Sequence, residues 1–159
     1  VRRIASAAAA LVVLFWTPAF ASAEPEVPQP GTPCGSDLSD AMTWPPDNNT
    51  SPLVCLNSQW QSLATPQPPN DRWLSYGPPI ALHGEGLRNP NVASGDWTAT
   101  PLDSTSACRA EQRAVLGPGE VGPPQTAEGQ PGQPLSLQFV PRLFSIQLSG
   151  YCLWTRATG

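Results

Sequence analysis

Two stretches near the end of this chain alternate apolar and polar residues, and that alternation restricts the fold more than any other feature. Leu135, Leu137 and Phe139 alternate with Ser136 and Gln138. Phe144, Ile146 and Leu148 alternate with Ser145, Gln147 and Ser149. Successive side chains of a strand point to opposite faces, so this spacing predicts two strands of an antiparallel sheet, apolar on one face and wet on the other. Val140 to Leu143 is short enough to join them as a hairpin, with Pro141 in the turn, where a missing N–H is tolerated. Beyond Gly150, Cys152 and Trp154 keep the parity of Phe144, Ile146 and Leu148, so Gly150 reads as a bend or bulge. The 21 prolines and 13 glycines of the chain break the rest into short pieces.

The opening residues have the form of a targeting segment. Arg2-Arg3 precede an apolar run from Ile4 to Trp16, followed by Pro18 and an Ala21-Ser-Ala23 cleavage site. This predicts a Sec signal peptide over 1–23; the run is too short, and too interrupted by Pro18, for a membrane anchor. Cleavage after Ala23 leaves 136 of the 159 residues, enough for one modest core. Two of the eight basic residues lie in the signal, so six remain against twelve acidic ones, a net charge of −6. Such a balance opposes binding to nucleic acid or to an anionic lipid surface. Every basic residue is Arg, and Val1 stands where Met is expected. Together with the Ala, Pro and Gly content, these point to a GC-rich actinobacterial gene with a GTG start.

The four cysteines, Cys34, Cys55, Cys108 and Cys152, all lie beyond the signal. An even number in an exported chain reads as a disulfide framework. Three connectivities are open; grouping by composition favours Cys34–Cys55 and Cys108–Cys152.

Residues 24–33 form a Pro-rich N-terminal spacer with little to bury. Residues 34–61 read as a disulfide-stapled hairpin unit, with Leu53-Val-Cys-Leu56, an Asn57-Ser58 turn and Trp60 as a lid on the bridge. Residues 62–71 are a Pro-rich linker, and 72–157 a β-sandwich-like domain. Within it, strands are expected at Arg72–Tyr76, at Ile80–His83, and at Gly95–Thr100 with Trp97 and Ala99 inward. A further strand is expected around Cys108–Leu116, with Arg109, Glu111 and Arg113 facing water. Residues 117–133 read as a long mobile loop. The fold expected is all-β, a small disulfide-stapled antiparallel β-sandwich or barrel of five to seven short strands, preceded by the stapled hairpin unit.

Gly95-x-Trp97, Cys108-Arg-Ala110 and Ser149-Gly-Tyr-Cys-Leu-Trp154, behind a signal peptide, resemble motifs of small uncharacterised secreted proteins of mycobacteria and related actinomycetes. The resemblance implies export and carries no activity.

The candidate chemistry is sparse. His83 is the sole histidine, so a hydrolytic triad would have to use it, yet no G-x-S-x-G elbow is present. His83-Gly-Glu85 resembles the H-x-E of zinc deaminases without the P-C-x-x-C partner, and no metal site or cofactor is expected. Asp47 to Ser51 offers oxygen ligands at alternate positions but lacks the Gly and Glu of an EF-hand, leaving a solvated turn as the simpler reading. The scattered carboxylates form no glycosidase pair. The five tryptophans beyond the signal are read first as filling a core short of aliphatic residues; Trp44 and Trp73 are the candidate ligand-stacking residues, Trp44 because it precedes Pro45-Pro46 near a loop tip. The sequence therefore points to an exported non-enzymatic module of the cell envelope or extracellular space, acting by binding or display. The other readings are a carbohydrate- or lipid-binding module using surface aromatics, and a hydrolase centred on His83. A glycan, lipid or protein partner in the envelope is expected; no nucleic acid is.

Overall fold

The structure is a computed structural model and describes residues 25–46 and 51–157. The signal peptide expected over 1–23 and residues 47–50 of the oxygen-rich turn lie outside the described residues. Ten strands are present among the described residues. They are β1 (Met42–Thr43), β2 (Leu53–Leu56), β3 (Gln59–Ser62), β4 (Arg72–His83), β5 (Gly95–Pro101), β6 (Arg109–Gly117), β7 (Glu120–Val121), β8 (Gln125–Glu128), β9 (Leu135–Phe139) and β10 (Leu143–Arg156). A single 3-10 turn, Ser36–Leu38, is the one helical element among these residues. The all-β fold with its two disulfides, Cys34–Cys55 and Cys108–Cys152, is as the sequence predicts.

The sheet runs β3-β2-β1-β4-β10-β5-β9, and a branch at β10 carries β6, which in turn pairs with β7 and β8. β4 lines one edge of β10 along nearly its whole length, from Ser145↔His83 to Thr155↔Arg72. The other edge of β10 is divided. Its first half pairs with β6, from Leu143↔Ala114 to Ser149↔Arg109, and its second half with β5, from Cys152↔Pro101 to Arg156↔Trp97. The changeover falls at Gly150, where the β4 register slips. Gly150 has φ +87°, and a Cβ there would collide with the carbonyl of Ala107. No other residue type fits that conformation and that approach. A register irregularity is thus present opposite Gly150 as expected, with the extra residue on the β4 side at Pro78-Pro79, and the changeover between the two partner strands falls at the same place.

The ladder between β1 and β4 is parallel, through Met42↔Trp73, while the other pairings are antiparallel. The sheet is mixed for that reason, where an antiparallel one was expected. Through β1 the stapled unit and the strands beyond residue 72 share one sheet. The β2–β3 hairpin turns on Asn57 and Ser58, both at positive φ (51° and 62°), the combination a two-residue type I′ turn requires.

The main core gathers Trp73, Leu82, Trp97, Ala99, Ala110, Phe139, Leu143, Ile146, Leu148, Cys152 and Trp154. Both arms of the branch contribute to it. Trp97 and Phe139 stack with centroids 4.5 Å apart. The three indoles of this core have partners for their N–H groups: Trp73 donates to the carbonyl of Asn70 (3.1 Å), Trp97 to that of Ala93 (3.1 Å) and Trp154 to Ser75 Oγ (2.9 Å). A second cluster, Cys34, Leu38, Ala41, Leu53, Cys55, Trp60 and Leu74, packs on the opposite face with Tyr151 and Leu153. The stapled unit therefore covers this second face around Leu74, Tyr151 and Leu153, while its continuation at Ala81, His83 and Gln147 is wet as alternation predicts. Trp60 sits opposite Cys55 across the hairpin, consistent with a lid.

Three local expectations are corrected. β9 does not form a hairpin with β10; it pairs with β5, from Gly95↔Phe139 to Ala99↔Leu135, because that register stacks Phe139 on Trp97. Leu143, fully buried, replaces Phe144 in the core, because the β10–β6 register slips between Leu143 and Ser145 and rotates the strand. Residues 117–133 are not one loop. The chain reverses at Gly119 (φ +74°), β7 pairs back on β6, and β8 then pairs with Arg109–Gln112. The Ile80–His83 strand is the far half of β4, which runs on through Pro78-Pro79.

No ladder joins β6 to β9. A buried side chain does so instead: Gln112 Nε2 donates to the carbonyl of Gln138 (3.0 Å), and Gln112 Oε1 accepts from the N–H of Val140 (3.1 Å). The amide acts as a one-residue substitute for strand pairing and ties the two arms together. Gln112→Ala is expected to cost about 2 kcal/mol in chemical denaturation, since it leaves both backbone groups without that partner. Gly150→Ala should cost at least about 2 kcal/mol, because both the steric clash and the positive φ oppose it. Replacing Cys108 and Cys152 together by Ala should lower stability by about 4 kcal/mol, the loop-closure value for a separation of 44 residues.

Candidate functional site

β1 and β4 lie side by side for a very short distance and then separate. Thr43 Oγ1 donates to the carbonyl of Leu74 (2.8 Å), and Tyr76 Oη donates to the carbonyl of Trp44 (2.8 Å), so both chains are pinned as they diverge. Pro45 and Pro46 carry one chain away, while Pro78 and Pro79 lie in β4. Between them opens a groove of about 500 Å³, within the range of ligand-binding clefts. Trp44, Pro45 and Pro46 line one side; Tyr76, Pro78, Pro79, Ile80 and Ala81 line the other. Four of these eight residues are prolines, whose fixed φ makes the walls rigid before any ligand arrives.

Trp44 is half-buried, packed against the main core on one side and lining the groove on the other. Its indole N–H is enclosed and has no hydrogen-bond partner among the described residues, in contrast to the three core indoles. Trp73 is fully buried at 0% relative exposure and cannot stack on a ligand. The reason is that β4 is covered on both faces over Trp73–Tyr76, so no parity of this segment reaches solvent. The consecutive apolar residues Trp73-Leu74 are the sequence signal of such a doubly covered strand. Tyr76, which residue-type reasoning left aside, takes its place beside Trp44.

The four cysteines form the two bridges, both buried. Cys34–Cys55 lies in the second cluster, and Cys108–Cys152 ties the start of β6 to β10. His83 is exposed at the end of β4. Its N–H donates to Asn91 Oδ1 (2.8 Å), and its strand neighbour is Ser145. Among the described residues no carboxylate lies within ion-pair distance of it. Glu85 turns instead to Ser94, accepting its N–H at 3.1 Å. Hydrogen bonding from Ser94 holds the Glu85 carboxyl below the usual range, with Arg156 adding to the effect. Asp103 is lowered likewise, by hydrogen bonds from Thr105 and then Ser106, in a self-contained loop of four contacts at 2.6–2.9 Å. The described residues hold no group of three or more His, Cys, Asp or Glu suited to a metal ion. No helix among them is long and apolar enough to cross a membrane.

The fold and groove define a disulfide-braced all-β protein with a rigid, aromatic- and proline-lined cleft beside its sheet. Comparison with protein-family models, curated proteins and solved structures finds no match to the chain.

Trp44→Ala is expected to change thermal stability far less than Trp73→Ala, which should cost about 3–5 kcal/mol as a core truncation. Because the Glu85 and Asp103 carboxyls are lowered in the folded protein, the stability they add is complete above the unfolded carboxylate range, near pH 4. It is lost as pH falls through the folded values. Denaturation midpoints measured from pH 6 to pH 2 should therefore fall less steeply for Glu85→Gln with Asp103→Asn than for the parent.

Proposed function

We propose that this chain is an exported, non-enzymatic binding module of the cell envelope or extracellular space, working through the groove between Trp44 and β4. The observation that carries this reading is the groove itself: an aromatic flanked by rigid prolines, open to solvent, on a scaffold braced by two buried disulfides. The bridges suit an oxidising compartment outside the cytoplasm. The form of residues 1–23, and the resemblance to secreted actinobacterial proteins, support export from such a cell. A row of exposed tryptophans for sugar stacking would need Trp73 at the surface, where it is not. A hydrolase would need a nucleophile and a carboxylate converging on His83, and Glu85 is engaged with Ser94.

The test is affinity capture from envelope fractions on immobilised protein, run in parallel with Trp44→Ala and His83→Ala. The parent and His83→Ala are expected to retain the same components, and Trp44→Ala to lose them. Equal retention by Trp44→Ala would remove the groove from the function, and loss with His83→Ala would restore the hydrolase.

A further inference from the structure

The backbone along the groove narrows the class of ligand, on the premise that the groove is the binding site. Beside Trp73, β4 has β1 as its outer neighbour; beside Ala81, no strand of the described residues takes that place. The edge beyond is already partnered in an instructive way. The N–H of His83 donates to Asn91 Oδ1, and the carbonyl of His83 accepts from the N–H of Asn91, each at 2.8 Å. One residue of another segment thus sits against this edge as a strand partner would. Ala81 lies two residues earlier in the same unbroken register, with Leu82 opposite Ile146 and Ala81 opposite Gln147. Alternate residues of a strand direct their N–H and C=O to the same side, so Ala81 presents both groups away from β10, toward the groove it lines.

We propose that the groove takes a short, extended polypeptide segment laid along β4 in the row that β1 vacates. Its main chain pairs with the N–H and C=O of Ala81, continuing the partnership that Asn91 makes at His83. Its apolar side chains, aliphatic or proline, pack on Trp44, Tyr76 and Ile80. From Tyr76 to Ala81 the edge spans at most roughly 17 Å, shortened by the register slip between Gly77 and Ile80, which fits no more than about five residues. Pro78 and Pro79 offer no N–H, so the edge cannot propagate into open-ended sheet pairing, and it selects a short guest. This is strand addition with side-chain pockets, a recurring mode of peptide recognition. Among the described residues the lining holds no carboxylate, guanidinium or side-chain amide with which to read sugar hydroxyls.

The experiment is amide NMR of labelled protein titrated with three probe sets. These are acetylated, amidated pentapeptides with apolar residues at alternate positions, chitopentaose and maltopentaose, and phosphatidylglycerol vesicles. Peptides are expected to shift the Ala81 amide and the Trp44 indole signal. Ala81→Pro, which removes the outward N–H without touching the β10 ladder, should weaken peptide binding at least tenfold, and Ala81→Val, which keeps it, less than threefold. Methylating the central backbone nitrogen of the best peptide should weaken binding to the parent protein as well, a measurement independent of how the variant folds. Unchanged affinity in both Ala81→Pro and the methylated peptide would overturn the proposal, as would the absence of any peptide response at Ala81. A response at Trp44 to oligosaccharide or vesicle instead would overturn it while leaving the binding reading in place. That reading fails separately, by equal envelope capture on Trp44→Ala.

Discussion

At Gly150 one edge of β10 passes from one partner strand to a second, and the architecture depends on that division. Before it, the edge belongs to β6; after it, to β5. A side chain at this point would meet the Ala107 carbonyl, just before the cysteine that bridges to Cys152. The bulge, the close approach and the disulfide are thus one local arrangement. It holds two arms of a branched sheet over a common core, and Gln112 laces those arms together further along, where no backbone ladder can.

The second organising constraint is that the middle of the sheet is buried on both faces. A small chain rich in proline and glycine has few aliphatic residues to spend. It fills the main core with Trp73, Trp97 and Trp154 and satisfies each indole internally. The stapled unit then covers the other face, where Trp60, Leu53 and the Cys34–Cys55 bridge meet Leu74, Tyr151 and Leu153. The same unit supplies β1, whose early divergence from β4 leaves the groove. Scaffold and candidate site therefore arise from one event: a strand that pairs through a single register and then turns away on two prolines.

Much of this was legible in the sequence. Period two marked β6, β9 and β10, the inward Trp97 and Ala99, and the bulge at Gly150; composition blocks favoured the disulfide pairing found. What could not be read was partnership. Phe139 and Leu137 have the same alternation whether β9 joins β10 or β5, and the aromatic stack with Trp97 decides it. β7 and β8 were invisible because Gln125-Thr-Ala-Glu128 has no hydrophobic period; its pairing is backbone chemistry along β6. Core filling is the favoured reading of the tryptophans and it holds for Trp73, which spacing alone could not separate from a stacking position because a doubly covered strand loses the alternation that normally tells inside from outside. The groove was half visible. Trp44 and its prolines stood out, but Tyr76 and Ala81 join them through a parallel pairing that spacing along the chain does not encode.

That the hub strand is also the last strand described bears on how the molecule comes to be. β4, β5 and β6 each lack their main partner until β10 is present, and the β4–β10 contacts bridge roughly seventy residues of chain. The tryptophan core and the Cys108–Cys152 bridge wait on the same segment. The β2–β3, β5–β9 and β6–β8 pairings close within the earlier chain, whereas the ladders that unite them run through β10.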